Sequence, residues 1–259
     1  MSVRFKILQF NMQFGQGWRD VDPDHAPIDL AATIAEIKSH DADLILLQEV
    51  EKAEPGGTQP PLPPNYSYLK QELRGYDSHF AFPREDPREL PFGIGLAIFS
   101  RTPLRDRMLL NLPSPAVGFQ FNGEEKTPTD RLLIGATTTI GGRDLRVLNT
   151  HLLALFMLKT SSEVHNEQRQ LVAEELKRST GPTLLGGDFN VRLHESLVAQ
   201  FDAVGFKTVQ STEITWRRFP YVLDHIFYNA PFRVVSHEVR PTPTSDHHAL
   251  VAELEFVDR

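Results

Sequence analysis

One device recurs along this chain: a short apolar run that stops abruptly at an acid, an amide or an imidazole. It is clearest at Thr183 to Asn190, TLLGGDFN, where Leu184 and Leu185 run into Gly186-Gly187 and then Asp188, Phe189 and Asn190. Such a run reads as a buried strand that ends at the glycines. Glycine there lets the backbone bend sharply or lets another group approach closely. Asp188 and Asn190 then sit on the turn just past the strand end. Asp, Asn and Gly are also ordinary turn residues for local reasons. Repetition is what favours a shared site. Val3 to Asn11 (VRFKILQFN), Leu44 to Glu49 (LILLQE) and Leu145 to His151 (LRVLNTH) end in the same manner. Polar groups placed so can converge at one end of a sheet. In the first of these runs Val3, Phe5, Ile7 and Gln9 share one face, and Asn11 ends the strand on it.

Between these strands the periodicity changes. Ile28 to Ser39 reads as an amphipathic helix with Leu30, Ile34 and Ile37 on one side. Thr160 and Glu163 have capping-box spacing, and Val164, Leu171, Val172 and Leu176 continue one stripe, which predicts a helix over 161–178. Leu193 to Phe201 predicts a shorter one. Gly141-Gly142 between two apolar runs predicts a β-hairpin, and Phe92 to Ser100 a buried strand. Residues 52–64, 83–91 and 111–129 are Pro-rich and read as loops, the first placed to rim the site beside Glu49. Leu152 to Leu158, LLALFML, has three readings: core, a lid, or a contact for an apolar substrate.

The bulk properties set limits. The 259 residues show no repeat, low-complexity tract or composition break, so one domain over 1–259 is expected. A net charge of −7 speaks against a broad basic face for nucleic acid. The absence of cysteine rules out disulfides and cysteine-ligated metal. No run of about 18 apolar residues is present, and MSVRFKILQF does not read as a secretory leader. A cytoplasmic, monomeric protein is the expectation.

Several of the polar groups are costly where they stand. Glu49 follows a four-residue apolar strand, and a carboxylate buried there without a partner is expensive; a metal ion or a basic group would offset the cost. In Tyr221 to Tyr228, YVLDHIFY, Asp224 shares a face with Val222 and Ile226, and His225 shares the other with Leu223 and Phe227. Asp224 therefore needs a partner, for which a histidine or arginine from elsewhere is the natural choice. Ser245, Asp246, His247 and His248 lie together in a turn before the final strand, and two imidazoles beside an acid are rarer than any single feature above.

The ordered set QFN at 9–11, QE at 48–49, NTHL at 149–152, GGDFN at 186–190, LDHIF at 223–227 and SDHHALVA at 245–252 resembles the endonuclease/exonuclease/phosphatase superfamily, which has the deoxyribonuclease I fold. The likeness runs from Asn11 to about Leu254. It implies a four-layer α/β sandwich, two mixed β-sheets packed face to face with helices outside. It also implies a divalent-metal-dependent phosphoesterase that uses activated water. By the resemblance Glu49 would bind the cation, with Asn11 and Asp246 nearby as ligands or water-mediated contacts. Magnesium suits such oxygen donors, and manganese is an alternative. His247, held by Asp224, would be general base or electrostatic partner at the attacking water. Asp188 and Asn190 would position nucleophile and phosphate, and His151 would hydrogen-bond a phosphate oxygen or assist the leaving group.

The residues narrow the substrate only in part. Inositol 5-phosphatases usually carry Trp two residues before the Asp of an Asp-Arg pair, where this chain has Val222 and Asp224-His225. Abasic-site endonucleases usually have Asn where His151 stands. Arg84, Arg88, Arg217 and Arg218 are candidate phosphate contacts. The expected partner is a phosphate ester, a diester ahead of a monoester. A nuclease is the competing enzyme, and a silent binding module the competing non-enzyme.

Overall fold

The computed structural model describes residues 3–257. In chain order its elements are β1 (Arg4–Asn11), α1 (Leu30–Ser39), β2 (Leu44–Lys52), α2 (Pro64–Glu72), β3 (Asp77–Ala81), β4 (Gly93–Ser100) and β5 (Arg105–Leu112). There follow β6 (Phe119–Phe121), β7 (Glu124–Lys126), β8 (Arg131–Ile140), β9 (Arg143–His151), α3 (Glu167–Lys177) and β10 (Thr183–Asp188). The last are α4 (His194–Asp202), β11 (Lys207–Thr208), β12 (Asp224–Tyr228), β13 (Phe232–Arg240) and β14 (Ala249–Phe256).

These strands make two six-stranded sheets, ordered β13-β14-β1-β2-β4-β3 and β11-β12-β10-β9-β8-β5. Both are mixed: β1 and β2 are parallel, as are β9 and β10, and the other neighbours run antiparallel. The period-2 alternation of each strand decides which layer a side chain enters. Ile7, Leu46, Ile98, Ile134, Val147, Leu184 and Ile226 pack between the sheets. Their neighbours Leu8, Phe10, Ile45 and Leu47 face outward against Ile34 and Ile37 of α1 and Leu69 of α2. On the far side Leu148, Leu185 and Phe227 meet Val172 and Leu176 of α3 and Leu197 and Phe201 of α4. The result is the expected four-layer sandwich.

Local departures have local causes. Helix α3 begins at Glu167, six residues later than its capping box predicts. Glu163 is held by Ser196 (2.7 Å) and Arg169 (3.3 Å) instead of closing a helical turn, and Val164 is left exposed. Residues 111–129 are not all loop, because β6 and β7 form a two-stranded ribbon there. Residues 64–72 form a helix with proline at its first turn, where proline is tolerated. The strand at 221–228 starts only at Asp224, since the Leu223 and Asp224 amides donate to the Thr215 hydroxyl, each at 3.0 Å. In the 152–158 stretch Leu152, Leu153 and Leu155 are core, while Met157 is exposed. Among the described residues no helix is long and apolar enough to cross a membrane.

Candidate active site

β2 does not end at Gln48. It continues to Lys52 through a bulge, and within the bulge Glu49 takes φ +50°. Positive φ is strained for a residue with a side chain, and such strain gathers at functional positions. Gln13, Phe14 and Asn190 share it. The bulge re-aims the Glu49 carboxylate into a space kept free by Gly93, where a Cβ would collide with that carboxylate. Similarly Gly187 lets β10 lie close to the Thr150 backbone of β9, so that Asp188 stands opposite His151.

The polar ends of strands from both sheets meet here. The Asn11 amide donates to Glu49 Oε1 at 2.9 Å and to Asp188 Oδ2 at 3.1 Å, linking the two acids. The amide is held in turn by the Gln13 N–H on its Oδ1. Asp188 Oδ2 lies 3.5 Å from His151 Nε2 and 3.6 Å from His247 Nε2, between two imidazoles. His247 Nδ1 is 2.8 Å from Asp224 Oδ2. The Ser245 hydroxyl donates to the Asn11 carbonyl and accepts from the His247 N–H, which seats the turn against β1. Asn190 donates its backbone N–H to Asp188 Oδ1 and its amide to the Leu152 carbonyl.

Three sequence-derived candidates, Asp246, Arg88 and Arg218, are occupied by other partners. Asp246 Oδ2 accepts from Arg218 Nε at 2.7 Å and from Trp216 Nε1 at 3.2 Å. Its charge nonetheless reaches Glu49. Of the arginines singled out, Arg88 is tied to Asp86 and Thr127, and Arg218 to Asp246 and Asp24. Arg217 and Arg218 both lie over the Trp18 ring. Gln59 in the 52–64 loop binds back to the 83–85 segment.

Burial sets the charge state of this cluster. It pushes Glu49 up, and Asp246 adds to that, against the Asn11 hydrogen bond. Asp188 rises to about 8, burial being the chief cause and only partly opposed by His247. His151 is held well below 6.5, by burial first and then by Arg131 and His247, so it is neutral near pH 7. Burial also works against a proton on His247, but Asp224 and Asp188 outweigh it and raise the group to about 10. Thus the cluster holds one neutral imidazole, one protonated imidazole and carboxylates that lack enough positive charge.

Several contributors carried no clear signal. Gln9, whose amide donates to Asp224 Oδ1 at 2.8 Å, stands in the QFN motif but had no role of its own to read there. Thr215 and Gly93 lie far from the motifs and had no signal of their own.

Carboxylates and imidazoles thus gather on strand ends at the seam of two sheets in a deoxyribonuclease I-like architecture. The sequence profile of the Endonuclease/Exonuclease/phosphatase family matches residues 8–247, and the chain belongs to that family. The family consists in general of hydrolytic enzymes, nucleases and phosphatases among them, typically using a divalent metal. A UPF0294 protein of Yersinia enterocolitica is 30% identical over 139 residues, 51% of this chain and 52% of its own. The chain spans about half the length of the curated relatives it matches. Among solved structures, the human Nocturnin catalytic domain with bound sulfate superposes with a TM-score of 0.68 at 20% identity, over 98% of this chain and 95% of that one. A mannosyl-6-phosphatase of Bacteroides thetaiotaomicron gives 0.66 at 18% identity, over 96% and 99%. At such identities the likeness is one of fold.

Proposed function

We propose that this protein is a divalent-cation-dependent phosphodiesterase that hydrolyses its substrate by direct attack of water. The observation that carries the reading is the His247–Asp224 hydrogen bond at 2.8 Å, with His247 Nε2 facing Asp188 beside Glu49. An imidazole so held has one nitrogen fixed by a carboxylate and the other free for proton transfer.

The donor set fits a hard cation. Asp188, Asp224 and His247 have ligand atoms within 4.8 Å of one another. Asp224 and His247 already bond each other, which leaves Glu49 and Asp188 as the principal donors, with Asn11 and Asp246 beside them. Both principal acids are pushed up by burial, as expected of carboxylates short of positive charge. Oxygen donors of this kind suit Mg2+ or Mn2+. When bound, such an ion neutralises charge on the phosphate and acidifies water.

The chain's own residues supply the rest. In its neutral form His247 takes the proton of the attacking water, and Asp224 stabilises the resulting imidazolium; a cation held by Glu49 and Asp188 would offset the Asp188 charge that otherwise helps keep His247 protonated. Asp188 and Asn190 orient the water and the phosphate. His151, neutral and with 16% of its side chain exposed, donates to a phosphate oxygen or to the leaving group. An acid-rich site repels a dianionic monoester more than a monoanionic diester, which supports the diester reading. The test is a panel with Mg2+ or Mn2+ and with EDTA: bis-p-nitrophenyl phosphate, p-nitrophenyl phosphate, phospholipids, and plasmid and single-stranded DNA. Metal-dependent turnover of a diester is expected; no turnover of any ester, or full activity in EDTA, would overturn the proposal.

A further inference from the structure

Gln9 stands near the end of β1, between Ile7 and Asn11 on the face that packs against the second sheet, and it is fully buried. A buried amide is costly unless hydrogen-bonded. Its Nε2 donates to Asp224 Oδ1 at 2.8 Å, but its Oε1 has no partner among the described residues. The amide cannot usefully turn round, because a carboxylate only accepts and must face the NH2 group. The residue therefore leaves an acceptor unsatisfied in the core, where an aliphatic side chain would fill the space without that penalty. What the amide achieves lies at Asp224.

Asp224 has two carboxylate oxygens, one bonded to His247 Nδ1 and the other to Gln9 Nε2. Thr215 holds the Asp224 backbone N–H, not its carboxylate. Rotation of an Asp carboxylate about χ2 is soft. Among the described residues, Gln9 is the only side chain besides His247 that hydrogen-bonds the carboxylate. Gln9 and His247 both approach from the first sheet and grip one acid of the second. Gly186 lies beside this crossing, where a Cβ would collide with Leu46 Cδ1 and come into contact with Gln9 Cγ.

We infer that Gln9 is a positioning residue: its amide locks the Asp224 carboxylate in the orientation that aligns the His247 ring. The effect on turnover rests on the hydrolase reading above; the effect on His247 does not. Gln9 is buried and touches no substrate, so its loss acts on kcat and leaves KM alone. Misplacing a reacting group by about 1 Å can cost on the order of 10²-fold in rate.

The test uses the whole chain with Gln9→Leu, Asp224→Asn and the double variant. On bis-p-nitrophenyl phosphate with Mg2+, Gln9→Leu should lose roughly 10-fold or more in kcat with KM little changed. In the Asp224→Asn background the same change should cost nothing further. In the metal-free protein, the 15N-resolved ring signals of His247 should move or broaden in Gln9→Leu. Wild-type kcat with unmoved His247 signals, or an equal loss in the Asp224→Asn background, would overturn the inference. If the wild type turns over none of the esters, the hydrolase reading fails and the His247 signals still decide the role of Gln9. Should Gln9→Leu not fold, the side-chain NH2 signals of Gln9 decide, compared between wild type and Asp224→Asn: a shift with faster exchange supports the lock, and unchanged signals refute it.

Discussion

The strongest prediction of the proposed function is that Asp224 and His247 act as one unit. Asparagine at 224 has two arrangements open to it. Its NH2 can face His247 Nδ1, which must then be an acceptor, so the ring proton moves to Nε2 and that nitrogen can no longer take one from water. Alternatively its oxygen stays on His247, and the Gln9 amide turns to present the Oε1 that is otherwise unpartnered. In both, the Asp224 charge, the largest of those that raise His247, is gone. General acid–base assistance is worth on the order of 10²–10⁴-fold, or ~3–5 kcal/mol in the barrier. His247→Ala should lose at least roughly 10²-fold in kcat, and Asp224→Asn a comparable amount. The double variant should be little worse than the worse single, as for residues that act together. The assay is kcat for all three on one chromogenic diester, with folding checked by circular dichroism. Fully multiplicative losses would refute the pairing, and near-wild-type turnover in His247→Ala would remove this histidine from the mechanism.

Other outcomes follow from single contacts. Glu49→Gln should raise the Mg2+ concentration needed for half activity at least tenfold, measured by metal titration, and Gly93→Ala should do likewise by pushing on the same carboxylate; an unchanged titration in both would exclude Glu49 as a ligand. His225, fully buried and held down at about 4 by burial, makes stability fall with acid. Its folded pKa lies below the unfolded 6.5, so its contribution is intact above pH 6.5 and is lost as pH drops through about 4. At ~1.4 kcal/mol per pKa unit the loss approaches ~3 kcal/mol, and urea melts of His225→Phe between pH 7 and 4.5 should show a shallower decline than wild type. With a net charge of −7, binding to duplex DNA at physiological salt should be weak and steeply salt-dependent; sub-micromolar affinity by fluorescence anisotropy would argue for a nuclease.

Much of this was legible in the chain because buried strands write their alternation plainly. Ile7 and Leu8, Leu184 and Leu185, Ile226 and Phe227 each divide between the inter-sheet layer and an outer one, as their register dictates. The need of Asp224 for a basic partner was readable from its apolar neighbours, and His247 meets it. What escaped depends on contacts distant in sequence. The capping box at Thr160 and Glu163 failed because Arg169 and Ser196 claim the Glu163 side chain. Helix α2 has too little apolar pattern to announce itself, burying only Leu69. The bulge that turns Glu49 inward leaves no mark in LILLQEVEK. Arg218, a candidate phosphate contact in the sequence, is instead paired with Asp246 and Asp24.

The order in which the strands are laid down has a consequence for how the protein is made. The chain builds most of one sheet, crosses to complete the other at Tyr228, and only then returns for β13 and β14. β14 slots between β13 and β1, so one edge of β1 stays bare until residues 249–256 have left the ribosome. Ser245, Asp246 and His247 directly precede that strand. Between the synthesis of Asp224 and that of His247 a nascent chain therefore has no His247 imidazole for Asp224, and it carries an unpaired strand edge, the kind that recruits other chains. A polypeptide truncated before Ala249 would lack the strand that closes this sheet and would be prone to clump.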